Sequence, residues 1–304
     1  MVDQAQKLRE LVEKRKLTVL SDNEKTEYSG KPGLSIAVTS GKGGVGKTNI
    51  TANLAIQLSR QGHKVIILDS DFSLANIDVL LGITPRWNMS HVFAEQKTLE
   101  EILIEGPYGI QIIPASSGLT ELAQLNEEQI DLLLEQLPSV ESKCDYFFID
   151  TAAGIADQVL SLVCSADMVM VVTTPEPTAY TDAYAMIKVV GARNPDANIG
   201  VLINMAQNHR EAQQASKNMV ALSKQFLHIS VNNYGYILRD PEVSNAIRHQ
   251  EAFSIKNPHS LASRGIRDLA QAVELFGSDE SVTSKGLKGF FDRWTGWWKK
   301  KNTR

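Results

Sequence analysis

Gly41-Lys42-Gly43-Gly44-Val45-Gly46-Lys47-Thr48 lies between an apolar run ending at Thr39 and an amphipathic segment whose spacing predicts a helix from near Lys47 to about Arg60. Glycines let a loop turn tightly and aim several backbone N–H groups at phosphate oxygens, where side chains would block the approach. The positive end of the following helix adds to that attraction. Lys47 is the residue to bridge the terminal phosphate oxygens, and the Thr48 hydroxyl the one to ligate Mg²⁺. Gly41 through Asn49 is therefore the candidate triphosphate cradle. A chance glycine-rich turn would not need this strand before it or this helix after it.

The rhythm of short apolar strand, turn and amphipathic helix repeats from Leu34 to about Phe276. Predicted strands are Leu34–Thr39, Lys64–Asp69, Ile110–Pro114, Tyr146–Asp150, Met168–Thr174, Ile199–Asn204 and Tyr234–Leu238. Several are apolar almost throughout, such as Val65-Ile66-Ile67-Leu68 and Val169-Met170-Val171-Val172, as strands buried on both faces must be. Strands separated by helix-length segments imply an α/β fold: a mostly parallel, twisted sheet covered by helices on both faces. Ligands of such folds sit at the carboxyl ends of the strands. Two further motifs fall there. Ile66-Ile67-Leu68-Asp69-Ser70-Asp71 ends a strand with carboxylates one residue apart, on one side of an extended chain. Phe147-Phe148-Ile149-Asp150 ends another in an aspartate followed by the small-residue turn Thr151–Gly154, the arrangement that holds Mg²⁺ directly or through water.

Lys42 puts a second lysine near the start of the loop and gives it the form KGGVGKT. On these residues the chain resembles the deviant Walker A ATPases of the MinD/ParA family across the whole central domain, residues 34–277. The resemblance implies a P-loop fold, ATP with Mg²⁺ as cofactors, and an ATP-dependent homodimer in which Lys42 reaches the partner subunit's phosphates. It makes Asp71 the aspartate that orients the attacking water, and Asp69 a structural or outer-shell residue. Asn204 matches the family's adenine-contacting asparagine, and Pro241 with Glu242 the loop along the adenine's other side. Lys42, Lys47, Asp71 and Asp150 are thus the candidate catalytic residues, with Thr48, Asp71 and Asp150 at the metal.

Asp71-Phe72-Ser73-Leu74-Ala75-Asn76-Ile77-Asp78-Val79-Leu80-Leu81-Gly82 and Thr173–Tyr184 are similar to segments of the FlhG (FleN, YlxH) group, regulators of flagellar number and placement. Asp3-Gln4-Ala5-Gln6-Lys7-Leu8-Arg9 matches that group's DQAxxLR motif. The match implies that the helix of residues 1–20 docks on the signal-recognition-type GTPase FlhF and stimulates it. Gln4 would act at the GTP, with Asp3, Leu8 and Arg9 as docking residues. A flagellar C-ring component or a flagellar transcription regulator would be the second partner. A division-site MinD would share the core and tail but lack the DQAxxLR extension; a ParA-type DNA-segregation ATPase would need a basic dimer surface.

Residues 21–33 read as a linker and 278–285 as a polar spacer. In residues 286–301, Leu287, Phe290, Phe291, Trp294, Trp297 and Trp298 share one helical face edged by lysine and arginine. Such a face suits an anionic membrane surface better than a core, although folding back onto the domain stays open and would make the tail regulated. The formal net charge of −4 leaves no strong nucleic-acid signal. Val2–Lys16 is charged and amphipathic, not a signal peptide, and no apolar run approaches the ~18 residues of a membrane span. Cys144 and Cys164 lack CxxC spacing and read as buried cytosolic thiols. The expected location is the cytoplasm, peripherally on the inner face of the cell membrane in the ATP-bound dimer.

Overall fold

The computed structural model describes residues 32–70, 77–114, 127–279 and 284–302. Eight strands are present among them: β1 (Leu34–Thr39), β2 (Val65–Ser70), β3 (Ile104–Glu105), β4 (Gln111–Ile113), β5 (Tyr146–Thr151), β6 (Met168–Thr173), β7 (Ile199–Ala206) and β8 (Asn232–Leu238). They form one sheet in the order β3-β4-β2-β5-β1-β6-β7-β8, parallel except for the β3–β4 pair. The described helices are α1 (Lys47–Arg60), α2 (Ile77–Leu81), α3 (Met89–Phe93), α4 (Glu127–Glu141), α5 (Asp157–Val163), α6 (Pro177–Arg193), α7 (His209–Leu222), α8 (Pro241–Arg248), α9 (Phe253–Lys256), α10 (Leu261–Ser278) and α11 (Gly286–Asn302).

The apolar strand composition follows from burial on both faces. Along β1, Ile36 and Val38 enter one core cluster and Ala37 the other; along β5, Phe148 and Phe147 divide in the same way. The first cluster is sealed mainly by α1 and α10, the second by α4, α5, α6, α7 and α11. Since β1 leads to β2 beyond β5 on one side while β6 lies on the other, a crevice opens at its carboxyl end. The seven predicted strands all occur, with ends shifted by one or two residues in most. The addition is β3, two residues long and antiparallel at the sheet edge.

The tail takes the folded-back place that the sequence left open. Leu287, Phe290, Phe291 and Trp294 do not stand free for a lipid surface but are buried against the domain. The Phe290 and Phe291 rings lie 5.4 and 6.0 Å from that of Phe147, and Trp294 Nε1 donates to Ser161 Oγ at 3.1 Å. Arg293 donates to Asp167 Oδ1 and to the Ser165 carbonyl, each at 2.7 Å. An aromatic side chain buries roughly 150–250 Å², so the stripe gains as much from a protein groove as from a bilayer. Trp297 is half-buried, and the Trp298 side chain lies outside the described residues. Cys144 is buried as expected, whereas Cys164 is half-buried; both are free thiols. Among the described residues no helix is long and apolar enough to cross a membrane.

Candidate functional site

β1 ends at Thr39, and the chain turns through Gly41–Gly46 into α1. Gly44 and Gly46 have φ of +79° and +94°, left-handed conformations that disfavour a side chain. A Cβ at Gly46 would meet Asn204 Nδ2 at 2.5 Å, whereas one at Gly44 would meet nothing within 4 Å. The loop thus packs against Asn204 and presents bare backbone where phosphates approach. Lys47 is buried and donates from Nζ to Ser40 Oγ at 3.0 Å. Ser40 in turn donates to the Lys42 carbonyl at 2.7 Å, tying the loop's entry to its own backbone.

Lys42 is held within its own chain. Nζ donates to Thr178 Oγ1 at 2.9 Å at the start of α6 and lies 3.8 Å from Glu176 Oε2. The Lys42 side chain is 43% and that of Glu176 74% exposed, so water screens the pair.

Asp69 and Asp150 are register partners on β2 and β5 and are both buried. Asp69 accepts from the Ile77 N–H at 3.2 Å, fixing the start of α2. Thr51 Oγ1 reaches Asp150 Oδ1 at 3.3 Å, while Asp150 Oδ2 is buried without a partner. Burial, then the neighbouring Asp69 charge, push Asp150 up to about 7, against the pull of the Thr48 hydroxyl, Lys47 and Thr51. A hard divalent cation supplies the charge this oxygen set lacks, so Thr48 and Asp150 fit Mg²⁺. Asp71, Asp3, Gln4, Leu8 and Arg9 lie outside the described residues.

Beside the loop opens a cleft of about 930 Å³, lined by Gly46, Asn49, Asn204, Pro241 and Glu242 among others. That volume suits a nucleotide. Asn204 Nδ2 donates to the Val45 carbonyl at 2.8 Å, so the amide is anchored to the loop. Asp240 caps α8 through the Glu242 N–H at 3.0 Å and accepts from the Ala262 N–H at 3.0 Å, setting the position of Pro241. Burial opposes the Asp240 charge, but these backbone donors outweigh it and hold the carboxyl below its usual range. Glu242 Oε2 is engaged by Asn257 Nδ2 at 2.7 Å.

The sequence reading passed over Ser40, Thr51 and Thr174. Thr51 had a signal, standing four residues after Lys47 on the same helix. Thr174 lines the cleft with a buried hydroxyl that has no partner, which no local pattern announces.

A strand–loop–helix phosphate cradle at the carboxyl end of β1, with a buried aspartate on the adjoining strand, defines a P-loop NTPase. The ParA family model, described as NUBPL iron-transfer P-loop NTPase, matches residues 33–274. The chain belongs to the ParA/MinD family of P-loop ATPases. It is 38% identical over 239 residues to the antiactivator FleN of Pseudomonas aeruginosa, covering 79% of this chain and 85% of FleN. With the flagellum site-determining protein YlxH of Helicobacter pylori it shares 34% over 262 residues, 85% of this chain and 88% of YlxH. The fold matches that of MinD from Pyrococcus horikoshii, solved with Mg-ADP, at a TM-score of 0.65 and 24% identity over 81% of this chain and 97% of that one. Iron transfer would call for accessible paired thiols, but Cys144 is sealed in the core and its thiol pushed up by burial.

Proposed function

We propose that this ATPase is an ATP-controlled homodimer that regulates flagellar number and placement, stimulating the GTPase FlhF through residues 1–20 and associating with the inner face of the membrane through residues 286–301. Lys42 carries the reading. A second lysine is surplus to a phosphate loop that works alone, and its tie to Thr178 and Glu176 is exposed, a contact of the kind worth about 1 kcal/mol or less. Lys42 therefore exchanges its own chain's α6 for the partner's triphosphate at little cost. Lys47, already buried beside the cradle, holds the chain's own phosphates, and Asn204, Pro241 and Glu242 border the adenine. Thr48, Asp150 and Asp71 would hold Mg²⁺, which when bound neutralises triphosphate charge. Asp71 orients the attacking water.

The flagellar assignment is supported by the DQAxxLR run from Asp3 to Arg9 and by the likeness to FleN and YlxH. Gln4 is placed in that motif to orient a water on the partner GTPase, as a glutamine does in other GTPases. Membrane association needs α11 to leave its groove, because one aromatic stripe cannot be buried twice. A single interfacial helix binds only marginally, and joining two in a dimer raises avidity by roughly 10²–10⁴.

Two measurements test this reading. Lys42→Ala should bind nucleotide yet remain monomeric with a non-hydrolysable ATP analogue in sedimentation velocity; a dimer as tight as the parent's would refute the shared-site arrangement. Added to purified FlhF, the protein should raise GTP turnover and Gln4→Ala should not. Equal stimulation by both would remove the role of the amino-terminal motif and leave the ATPase intact.

A further inference from the structure

Of the residues lining the nucleotide cleft, two hold a buried polar atom that has no hydrogen-bond partner among the described residues. One is Thr174, just past the end of β6, with a side chain 6% exposed and its hydroxyl unpaired. The other is Asn49, in the first turn of α1, whose Oδ1 is unpaired. A buried polar group left unpaired is costly, and two of them in one cleft point to a ligand that pairs them. Neither side chain is used by the backbone cradle, by Lys47 or by the metal oxygens.

The sheet fixes where along a nucleotide these atoms fall. β6 lies between β1, whose end leads into the phosphate loop, and β7, which carries Asn204. Thr173 pairs with Ile203, so Thr174 and Asn204 come next, side by side on neighbouring strands about 4.8 Å apart. Val172 and Leu202, two residues earlier, enter the core cluster that α1 seals. By the period of two, Thr174 and Asn204 turn to that same face, where Asn49 stands on α1. Thr174 is therefore midway between the end that takes phosphates and the end that takes the base. The part of a nucleotide between those two is its sugar.

We propose that Thr174 and Asn49 are specificity-determining residues that read the ribose: one sugar hydroxyl donates to Asn49 Oδ1 and accepts from the Thr174 hydroxyl. The chemistry of the pair selects that group. An amide oxygen only accepts, and so do ionised phosphate oxygens, which cannot satisfy it. The amino group of adenine is spoken for by Asn204, whose Nδ2 is held by the Val45 carbonyl at 2.8 Å and whose oxygen is the free end. A hydroxyl donates and accepts at once and completes both partners. The enzyme thereby prefers a ribonucleotide to the deoxynucleotide that lacks this group, an inference that rests on the base lying at Asn204.

Titration calorimetry of the full-length protein with Mg²⁺ and ADP, 2′-deoxy-ADP, 3′-deoxy-ADP or inosine diphosphate tests this. The parent should bind ADP at least about tenfold more tightly than one of the two deoxy compounds, because a site built to pair a hydroxyl rejects the analogue without it. Thr174→Val should weaken ADP by about tenfold and leave that deoxy compound within about twofold, and Thr174→Ser should restore the preference. Asn49→Ala, the second variant, should show the same pattern. The melting temperature of nucleotide-free Thr174→Val should hold or rise, whereas a merely structural hydroxyl would lower it. Inosine diphosphate, which lacks the amino group, should bind more weakly than ADP; equal binding would overturn the placing of the base and this inference with it. With that preference present, equal binding of ADP and both deoxy compounds, or a Thr174→Val loss that is the same for all three, overturns the sugar contact alone.

Discussion

Asp150→Asn is expected to make the nucleotide-free protein more stable and to lower ATP turnover by at least about 10²-fold. The two effects have one cause. Asp150 is fully buried, its Oδ2 has no hydrogen-bond partner, and Asp69 stands beside it in register. Burial and then the Asp69 charge lift its pKa from an ordinary 3.8 to about 7. A raised carboxyl binds its proton more tightly folded than unfolded, so its contribution to stability is fully present below about pH 4. It is lost as pH rises through about 7. At pH 8 the uncompensated charge costs on the order of 4 kcal/mol, which a neutral amide of the same shape avoids. Calorimetry at pH 5 and pH 8 should show the parent losing stability across that interval and the variant losing less. A variant no more stable than the parent at pH 8 would mean that the carboxylate is compensated without a cation. The turnover loss follows because the amide no longer supplies a negative oxygen where the triphosphate's counter-ion is needed.

That pairing shows where sequence reading ends. Asp150 was legible because an apolar run of four residues, Tyr146–Ile149, leads straight into it, and β1 and α1 were legible for the same reason: an unbroken apolar run, then glycines, then helical spacing. The proximity of Asp69 to Asp150 was not, because it depends on the register of β2 on β5, strands far apart in the chain that no local pattern aligns. Lys42 was recognisable as surplus, but its resting contact with Thr178 spans 136 residues and appears only once α6 is set beside the loop. β3 is too short to carry a period. The resting place of the tail was undecided for a different reason. Helical spacing correctly groups Leu287, Phe290, Phe291 and Trp294 on one face, but an aromatic stripe edged by cations is compatible with a lipid surface and with a groove whose rim carries a carboxylate. Asp167 is that carboxylate, and nothing near it in sequence marks it as the partner of Arg293.

Asp167→Asn combined with Ser161→Ala should free the tail without altering it, and vesicle binding by the nucleotide-free protein should then rise by about 30–700-fold. Asp167 has a nearly buried side chain, accepts from Ser35 N–H and Oγ at 3.1 and 2.6 Å, and receives Arg293 at 2.7 Å. Asparagine keeps an oxygen for Ser35 but loses the charge that holds the guanidinium, and alanine at Ser161 leaves the Trp294 indole N–H without its acceptor. Removing a hydrogen bond to a charged group and a neutral one costs about 1.5–3 and 0.5–1.5 kcal/mol. The sum, about 2–4 kcal/mol, sets the expected shift, since 1.4 kcal/mol is a factor of ten. The apolar stripe that would enter lipid is unchanged, so any gain in binding reports release and not a stickier helix. Co-sedimentation with phosphatidylglycerol vesicles, with tryptophan emission as a second readout, separates the outcomes. If the tail loosens, seen as faster amide exchange in α11, and vesicles still do not bind, the helix is a structural brace and the membrane role falls. If binding rises without ATP, the groove is a lock on a membrane anchor. Since α5 carries Ser161 and follows the Asp150 strand end directly in the chain, nucleotide at the loop has a short route to that lock.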